Sequence, residues 1–175
     1  MNSGTNWYVI TGGPCSGKST VLALIEKLGY RVIPEAARVL IDEELAKGKT
    51  IEEIRKDERG FQRKVLAMKI KIENELSKDE IIFFDRAVPD SVAYYQISGL
   101  DPEEALNVCR RGQYSKVFLM EQLPFEKDDA RTENPETVKK LNQLLKETYE
   151  KLGCEVVFVP AVSIEERVEF IKGHI

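Results

Sequence analysis

The sequence predicts an α/β fold of three layers, in which a five-stranded parallel sheet lies between helices on both of its faces. Two observations predict this class. Short apolar segments with β-type composition alternate along the chain with segments of helical periodicity, the pattern of parallel strands joined by helices. The first strand runs through a glycine-rich loop directly into the first helix. The chain has 175 residues, the size of one domain, and we expect residues 1–175 to form a single unit.

Composition and charge exclude several classes of function. The chain is 42% hydrophobic, enough for a core, but its longest apolar segments are far shorter than a bilayer span. The first residues lack the basic and apolar segments of a signal peptide, so we expect a cytoplasmic protein without a membrane partner. A net charge of −4, with lysine and arginine dispersed, argues against a nucleic-acid partner. The single histidine, His174, lies next to the end, so acid–base chemistry is expected to fall to carboxylates.

The first two strands and their helices are predicted from boundary signals. The first strand, residues 8–11, is apolar and ends at a pair of glycines, and Gly29 ends the helix that follows. Residues 30–33 form a second short strand that ends at Pro34, because the residue before a proline disfavours the helical conformation. A helix then follows through Ile41.

A long charged segment separates the second strand from the third. Thr50 and Glu53 form a capping box at its start, and apolar residues recur at helical spacing as far as Ile72. We expect Gly60 to divide this segment into two helical pieces. The third strand, residues 81–84, is short and uniformly apolar, which predicts a central strand buried on both faces.

The rest of the chain continues the alternation. A helix begins near Asp101, and residues 116–120 form a fourth strand. Asn134 opens a helix with one apolar stripe, and residues 155–159 form a fifth strand. A second capping box, at residues 163–166, starts the last helix. In a parallel sheet of this kind the ligand crevice lies at the carboxyl ends of the strands.

The glycine-rich loop has the spacing Gly-x4-Gly-Lys-Ser, which is the phosphate-loop (P-loop) pattern. In this pattern backbone N–H groups surround the phosphates of a nucleotide, Lys18 reaches their β and γ oxygens, and the Ser19 hydroxyl binds Mg²⁺. The motif therefore predicts a P-loop NTPase fold that uses ATP and Mg²⁺. We interpret Cys15 as a small residue that fills the loop rather than as a reactive thiol. The predicted nucleotide-binding residues are Gly12, Gly13, Pro14, Cys15, Ser16, Gly17, Lys18, Ser19 and Thr20.

A second acidic group is expected at the end of the third strand. Asp85 follows the apolar residues of that strand and precedes Arg86. A carboxylate delivered beside the P-loop is suited to hold Mg²⁺ directly or through water, and an arginine there stabilises the charge in transfer. The alternative is a strand-ending aspartate that only accepts backbone hydrogen bonds. We predict Ser19 and Asp85 as metal ligands, and Lys18, Asp85 and Arg86 as catalytic residues.

The residues after the third strand resemble a known group of P-loop proteins. Asp-Arg at residues 85–86, followed by Asp90 and Tyr94, is similar to the Asp-Arg region of thymidylate kinases and of ribosylnicotinamide kinase-like proteins. The P-loop together with Pro-Glu-Ala-Ala-Arg at residues 34–38 resembles more closely the group of small predicted AAA-type ATPases. The likeness extends over nearly the whole chain. It implies a nucleotide-dependent enzyme in which Asp90 and Tyr94 contact the substrate.

Two positions depart from the thymidylate kinase pattern. Ala87 stands where an aromatic residue usually follows Asp-Arg, and Asp90 replaces a small hydroxyl residue. These differences argue against dTMP as the acceptor. Tyr94 is able to stack on a base, although tyrosines at helical spacing more often cover the edge of a core.

Glu35 and Arg38 are expected to contact the acceptor. They lie one turn apart on the helix after the second strand, so their side chains share a face and are able to bracket a polar acceptor. The helix starts at the carboxyl end of a strand, where the crevice lies. The alternative is a solvated surface pair, which is common on helices.

Residues 121–134 are predicted to form a lid loop. They are polar, lack periodicity and join a strand to a helix above the same edge of the sheet. In nucleotide kinases such a lid brings an arginine onto the transferring phosphoryl group, and Arg131 is the only arginine of this loop. We therefore predict a catalytic role for Arg131. The alternative is a solvated loop.

Two functions remain open. The first is a small-molecule kinase that moves the γ-phosphoryl group of ATP to a nucleoside-like or nucleotide-like acceptor. The second is a P-loop ATPase or GTPase module that hydrolyses its nucleotide while it binds a partner. The guanine-reading segment Asn-Lys-x-Asp is absent, which weighs against GTP, and an AAA machine would need more length and a separate helical domain. We favour the kinase, whose partners would be a nucleotide and a small-molecule acceptor.

Overall fold

The structure, a computed structural model, describes residues 4–124 and 134–175, and its elements follow the predicted order. The strands are β1 (Trp7–Thr11), β2 (Arg31–Ile33), β3 (Ile82–Asp85), β4 (Lys116–Met120) and β5 (Val156–Val159). The helices are α1 (Lys18–Lys27), α2 (Ala36–Ala46), α3 (Ile51–Arg55), α4 (Glu58–Glu75), α5 (Asp90–Ile97), α6 (Pro102–Leu106), α7 (Pro135–Lys151) and α8 (Ile164–Lys172). Both predicted capping boxes, at residues 50–53 and 163–166, are formed. Within the described ranges, no helix combines the length and the apolar character needed to cross a membrane.

The strands form one parallel sheet in the order β2-β3-β1-β4-β5. β1 pairs with β3 on one side, where Ile10 lies opposite Asp85, and with β4 on the other, where Thr11 lies opposite Leu119. Residues 82–84 of β3 are buried on both faces, as predicted, whereas Ile81, which was predicted to begin this strand, precedes it and is exposed. Because all strands run in the same direction, their carboxyl ends meet at one edge, and between β3 and β4 the chain crosses β1. The predicted five-stranded parallel α/β fold is confirmed.

Successive residues of β1 pack against opposite layers of helices, as the pleat of a strand requires. Val9 belongs to a core cluster that includes Tyr149 of α7. Ile10 belongs to a second cluster on the other face, with Val21 of α1 and Val168 of α8. The sheet therefore has a helical layer on each side, and α1, which follows the P-loop, is held against the same face as α8.

The long charged segment is divided at a different point from the one predicted. α3 ends at Arg55 and α4 begins at Glu58, so the break precedes Gly60, which lies in the first turn of α4. The Asp57 side chain caps α4 by accepting a hydrogen bond from the Gly60 N–H at 3.0 Å. A Cβ on Gly60 would collide with the Asp57 carboxylate. The glycine thus makes room for a helix cap and does not itself interrupt a helix.

Candidate functional site

The P-loop turns tightly between β1 and α1. Its backbone has a positive φ at Gly12, Cys15 and Gly17, with values of 142°, 60° and 82°. A Cβ on Gly12 would lie 3.1 Å from a carbonyl oxygen of β4, and a Cβ on Gly13 would lie 2.6 Å from a methyl group of Val138. Glycine is therefore required here by conformation and by packing. The first N–H groups of α1 have no helical partners, which is the feature that suits a helix N-terminus to phosphate.

Two side chains from distant parts of the chain hold the first half of the P-loop. Asn142 of α7 accepts a hydrogen bond from the Gly13 N–H at 2.8 Å. Gln122, just after β4, donates a hydrogen bond to the Pro14 carbonyl oxygen at 2.8 Å. Neither residue was predictable from the sequence, because each lies more than a hundred positions from its partner and belongs to no local motif. These contacts tie the loop after β1 to the loop after β4 and to α7.

Lys18 and Asp85 bring opposite charges to the carboxyl edge of the sheet. Burial, reinforced by the positive charge of Arg86, lowers the pKa of the Lys18 ammonium to about 8. Burial raises the pKa of the Asp85 carboxyl group to about 6, although the charge of Lys18 opposes this shift. Both groups are thus set to change charge near neutral pH, a property that is frequent in catalytic sites.

Arg86 follows β3 in the left-handed conformation, with φ of 62°. Its backbone N–H donates a hydrogen bond to the Ile10 carbonyl oxygen at 3.1 Å, which fixes the turn against β1. The guanidinium lies over the ring of Tyr94, with 5.0 Å from Cζ to the ring centroid, and Nη1 donates a hydrogen bond to the Tyr94 hydroxyl. Its Nε lies 3.4 Å from a carboxylate oxygen of Glu35 but without hydrogen-bond geometry. Tyr94 therefore supports an arginine in the crevice.

Glu35 and Arg38 do not form the pair that was predicted. Glu35 occupies the N-cap position of α2 with a non-helical backbone, so the spacing of residues within a helix does not apply to it. Its carboxylate points toward Arg86. The Arg38 side chain is 76% exposed and lies 3.9 Å from Asp42, its neighbour one turn along α2. The structure thus brings Glu35 to the crevice and leaves Arg38 on the solvated surface of the helix.

Asp90 is fully buried rather than open to the crevice. One of its oxygens accepts a hydrogen bond from the Thr11 hydroxyl. The other accepts hydrogen bonds from the Ala87 N–H, at 2.9 Å, and from the Tyr149 hydroxyl. The expected contact of Asp90 with a substrate does not fit this geometry, because three donors from three elements already occupy the carboxylate. Asp90 instead anchors the turn that carries Arg86.

Replacement of Asp90 by asparagine is expected to lower the free energy of unfolding by about 3 kcal/mol. An amide retains only one acceptor oxygen and turns its NH₂ group toward donors that have no other partner. Urea denaturation measures this loss. The matched control is Asp42→Asn, whose side chain is 66% exposed and for which we expect a change below about 0.5 kcal/mol. Equal stabilities of the two variants would contradict the anchoring role.

Unpartnered polar atoms gather around the P-loop. In the part of the chain that the structure describes, four buried side-chain atoms lack a hydrogen-bond partner: Ser16 Oγ, Asp85 Oδ1, Arg86 Nε and Gln122 Oε1. All four lie at or just after the carboxyl ends of β1, β3 and β4. Buried polar atoms are almost always paired in proteins, so a cluster of unpaired ones indicates a ligand. A guanidinium donor fits phosphate oxygens, and a free carboxylate oxygen fits Mg²⁺.

Other predicted residues lie outside this cluster. Ser19 and Thr20 are exposed in the first turn of α1, beside Lys18. Arg131 and most of the predicted lid lie outside the described residues. A cavity of about 720 Å³ lies at the ends of β4 and β5 beside α7, with mostly apolar walls that include Val138 and Phe158. Its walls contain neither Lys18 nor Asp85, but they include Gln122 and Asn142, so the cavity borders the P-loop.

The fold and the site define a P-loop NTPase, with the P-loop on a parallel sheet and an aspartate at the end of the adjacent strand. The chain belongs to the AAA domain family, because the model of that family matches residues 7–167. This range includes the P-loop, Asp85 and the first turn of α8. No curated protein matches the chain.

Solved structures with the same fold include several kinases. The chain is similar to deoxyadenosine kinase from M. mycoides with dCMP and dCDP bound, at 19% identity and a TM-score of 0.66, over 96% of this chain and 97% of that one. It is also similar to thymidylate kinase from Candida albicans, at 16% identity and a TM-score of 0.62, over 98% and 90%. A NadR protein in complex with NR matches at 14% identity and a TM-score of 0.60, over 89% and 43%. The resemblance to P-loop kinases is confirmed at the level of the fold.

Proposed function

We propose that the chain is a small-molecule kinase that uses Mg²⁺ to transfer the γ-phosphoryl group of ATP to a nucleoside-like or nucleotide-like acceptor. The observation that carries this proposal is the cluster of charged and unpartnered groups at one edge of the sheet, around Lys18, Asp85 and Arg86. Phosphoryl transfer needs little covalent chemistry from the protein and depends on such positioned charges. The kinases among the solved structures of the same fold support this choice.

The nucleotide side of the site is formed by residues 12–20. Backbone N–H groups of the P-loop bind the phosphates, and Lys18 neutralises their β and γ oxygens. Ser19 and Asp85 hold Mg²⁺, for which their oxygen atoms are suitable ligands. When bound, Mg²⁺ neutralises charge on the phosphoryl group in transfer.

The acceptor side of the site is formed by Glu35, Arg86 and Tyr94. The Glu35 side chain is 34% exposed, so an acceptor hydroxyl is able to reach its carboxylate and donate a hydrogen bond. Arg86 stabilises the transferring charge, and Tyr94 keeps its guanidinium in place. We further propose that Arg131, in the lid loop, acts on the same phosphoryl group. A contact of Arg38 with the acceptor is less well supported, because its side chain lies on the solvated surface of α2.

The pH dependence of kcat/KM for ATP is expected to be bell-shaped, with a maximum between about 6 and about 8. Below about 6 the raised pKa of Asp85 leaves its carboxyl group protonated and unable to bind Mg²⁺. Above about 8 the lowered pKa of Lys18 leaves its amine uncharged and unable to attract phosphate. Initial rates at saturating acceptor, from pH 5 to 9.5, measure the profile. A flat profile would contradict the roles of these two groups.

A screen of acceptors tests the proposed function. Nucleosides, nucleoside monophosphates, ribosylnicotinamide and related alcohols are each mixed with Mg·ATP, and ADP production is compared with the rate in water alone. A kinase has a site that excludes water, so we expect slow ATP hydrolysis in water and a large increase in ADP production with the right acceptor.

The family description as an AAA domain favours a second candidate, an ATPase that responds to a macromolecular partner. Stimulation by a protein or nucleic acid and by no small acceptor would favour this second function.

A further inference from the structure

Arg167 joins three loops at the carboxyl edge of the sheet. It lies in α8 and is 1% exposed. Its Nη1 donates a hydrogen bond to the carbonyl oxygen of Ser16 in the P-loop. Its Nε donates to the Pro160 carbonyl oxygen after β5 at 2.9 Å, and its Nη2 donates to the Glu121 carbonyl oxygen after β4 at 3.0 Å. One guanidinium therefore sets the relative positions of the loops that follow β1, β4 and β5.

Contacts on both sides of Arg167 fix its position. The capping box at residues 163–166 fixes the first turn of α8, and the Arg167 N–H donates a hydrogen bond to the Ser163 carbonyl oxygen at 2.9 Å. On the P-loop side, a Cβ on Gly17 would lie 3.2 Å from Nη1 of Arg167. The absence of a Cβ at Gly17, the N-cap residue of α1, thus lets the guanidinium approach the loop closely. A planar fork of donors suits three carbonyl oxygens in a way that a single ammonium does not.

The charge of Arg167 points to an anion. Its hydrogen-bond partners are neutral carbonyl groups, and no carboxylate of residues 4–124 or 134–175 forms an ion pair with it. Burial lowers the pKa of its guanidinium, although the charge of the Glu121 carboxylate opposes this shift. The hydroxyl of Ser16, whose carbonyl oxygen Arg167 binds, is buried without a partner. A phosphate chain in the loop would supply both a partner for this hydroxyl and a compensating negative charge.

We propose that Arg167 is a positioning residue that holds the P-loop in its phosphate-binding conformation and so sets the affinity for the polyphosphate chain. This inference deepens the proposed function and rests on nucleotide binding at residues 12–20. Arg167 acts through the backbone of the loop, and it has no contact with the acceptor side of the site. Its loss therefore weakens the binding of phosphate with or without a base attached.

The test compares Arg167→Gln and Arg167→Lys with Arg31→Gln, an exposed arginine of β2 that pairs only with Glu80 in the described residues. Calorimetric titrations give the Kd for inorganic tripolyphosphate and for Mg·ATP. We expect Arg167→Gln to raise both values by the same factor, about 10-fold or more, because a hydrogen-bonded charge is lost. Arg167→Lys keeps the charge but not the fork and should raise both by about 3- to 10-fold. Arg31→Gln should stay within about twofold.

Kinetics provide a readout that a general loss of stability would not produce. With the acceptor found in the screen, Arg167→Gln should raise KM for ATP and leave KM for the acceptor unchanged. A folded Arg167→Gln with wild-type Kd for tripolyphosphate overturns the proposal. Should that variant fail to fold, by circular dichroism without ligand, a wild-type Kd for Arg167→Lys overturns it in the same way. If the wild type binds neither tripolyphosphate nor Mg·ATP, the proposal of nucleotide binding at residues 12–20 is wrong. If the wild type binds both but no acceptor in the screen is phosphorylated, only the kinase proposal is wrong.

Discussion

Replacement of Lys18 by methionine is expected to lower kcat/KM for ATP by about 10³-fold. The ammonium of Lys18 is the group that reaches the β and γ oxygens in the proposed site, and it carries charge that no other residue of the P-loop supplies. Methionine keeps the apolar stem of a side chain that is only 9% exposed. The fold should therefore persist, since the change removes a desolvated amine and no described hydrogen bond.

The matched control for this variant is Lys27→Met, at the exposed end of the same helix. We expect Lys27→Met to retain wild-type activity and the wild-type increase in melting temperature with Mg·ATP. Lys18→Met should show the wild-type melting temperature without ligand and little or no increase with it. A normal increase in Lys18→Met would refute the assignment of the P-loop.

The Asp85→Asn variant should lose about 10²-fold or more in kcat while its affinity for ADP without Mg²⁺ changes by less than about threefold. An amide oxygen carries no negative charge, so it is a weaker ligand of Mg²⁺ than the carboxylate at the end of β3. The phosphates, in contrast, are bound by the P-loop and Lys18, which the substitution does not touch. The concentration of Mg²⁺ required for half-maximal rate should rise along with the loss in kcat.

Asp79→Asn is the control for Asp85, because Asp79 is exposed just before the same strand. It should behave as the wild type in rate and in Mg²⁺ dependence. If Asp85→Asn weakens ADP binding as much as it lowers kcat, Asp85 has a structural role and another group holds the metal. The raised pKa of Asp85, due mainly to burial, makes a neutral residue tolerable there, so we expect no loss of stability at pH 6.

The P-loop was predictable from the sequence because its chemistry depends on local backbone geometry. Gly12 and Gly17 have positive φ, and the start of a helix follows immediately, so the motif and the site are the same short segment. The position of Asp85 was also predictable, since a uniformly apolar strand in a parallel sheet delivers the next residue to the carboxyl edge. The fold was predictable because strand and helix patterns alternate along the chain, which is typical of a parallel sheet covered by helices.

The residues that hold the P-loop in place were not predictable, because their role depends on contacts between distant segments of the chain. Asn142, Gln122 and Arg167 bind the P-loop backbone from more than a hundred positions away, and each resembles an ordinary polar residue of a helix or loop. The environment of Asp90 was not predictable either, since only the packed structure brings donors from three elements to its carboxylate. Glu35 differs from the prediction because it lies at the N-cap position, just before α2, rather than within the helix.

The fate of the γ-phosphoryl group is the most direct measurement of what this site does. The purified protein is incubated with Mg·ATP labelled at the γ-phosphoryl group and with each acceptor of the screen, and the products are separated. A kinase transfers the label to one class of acceptor, at a rate well above the release of labelled phosphate, and Lys18→Met abolishes the transfer. Label that appears only as inorganic phosphate, whatever the acceptor, would contradict phosphoryl transfer to a small molecule.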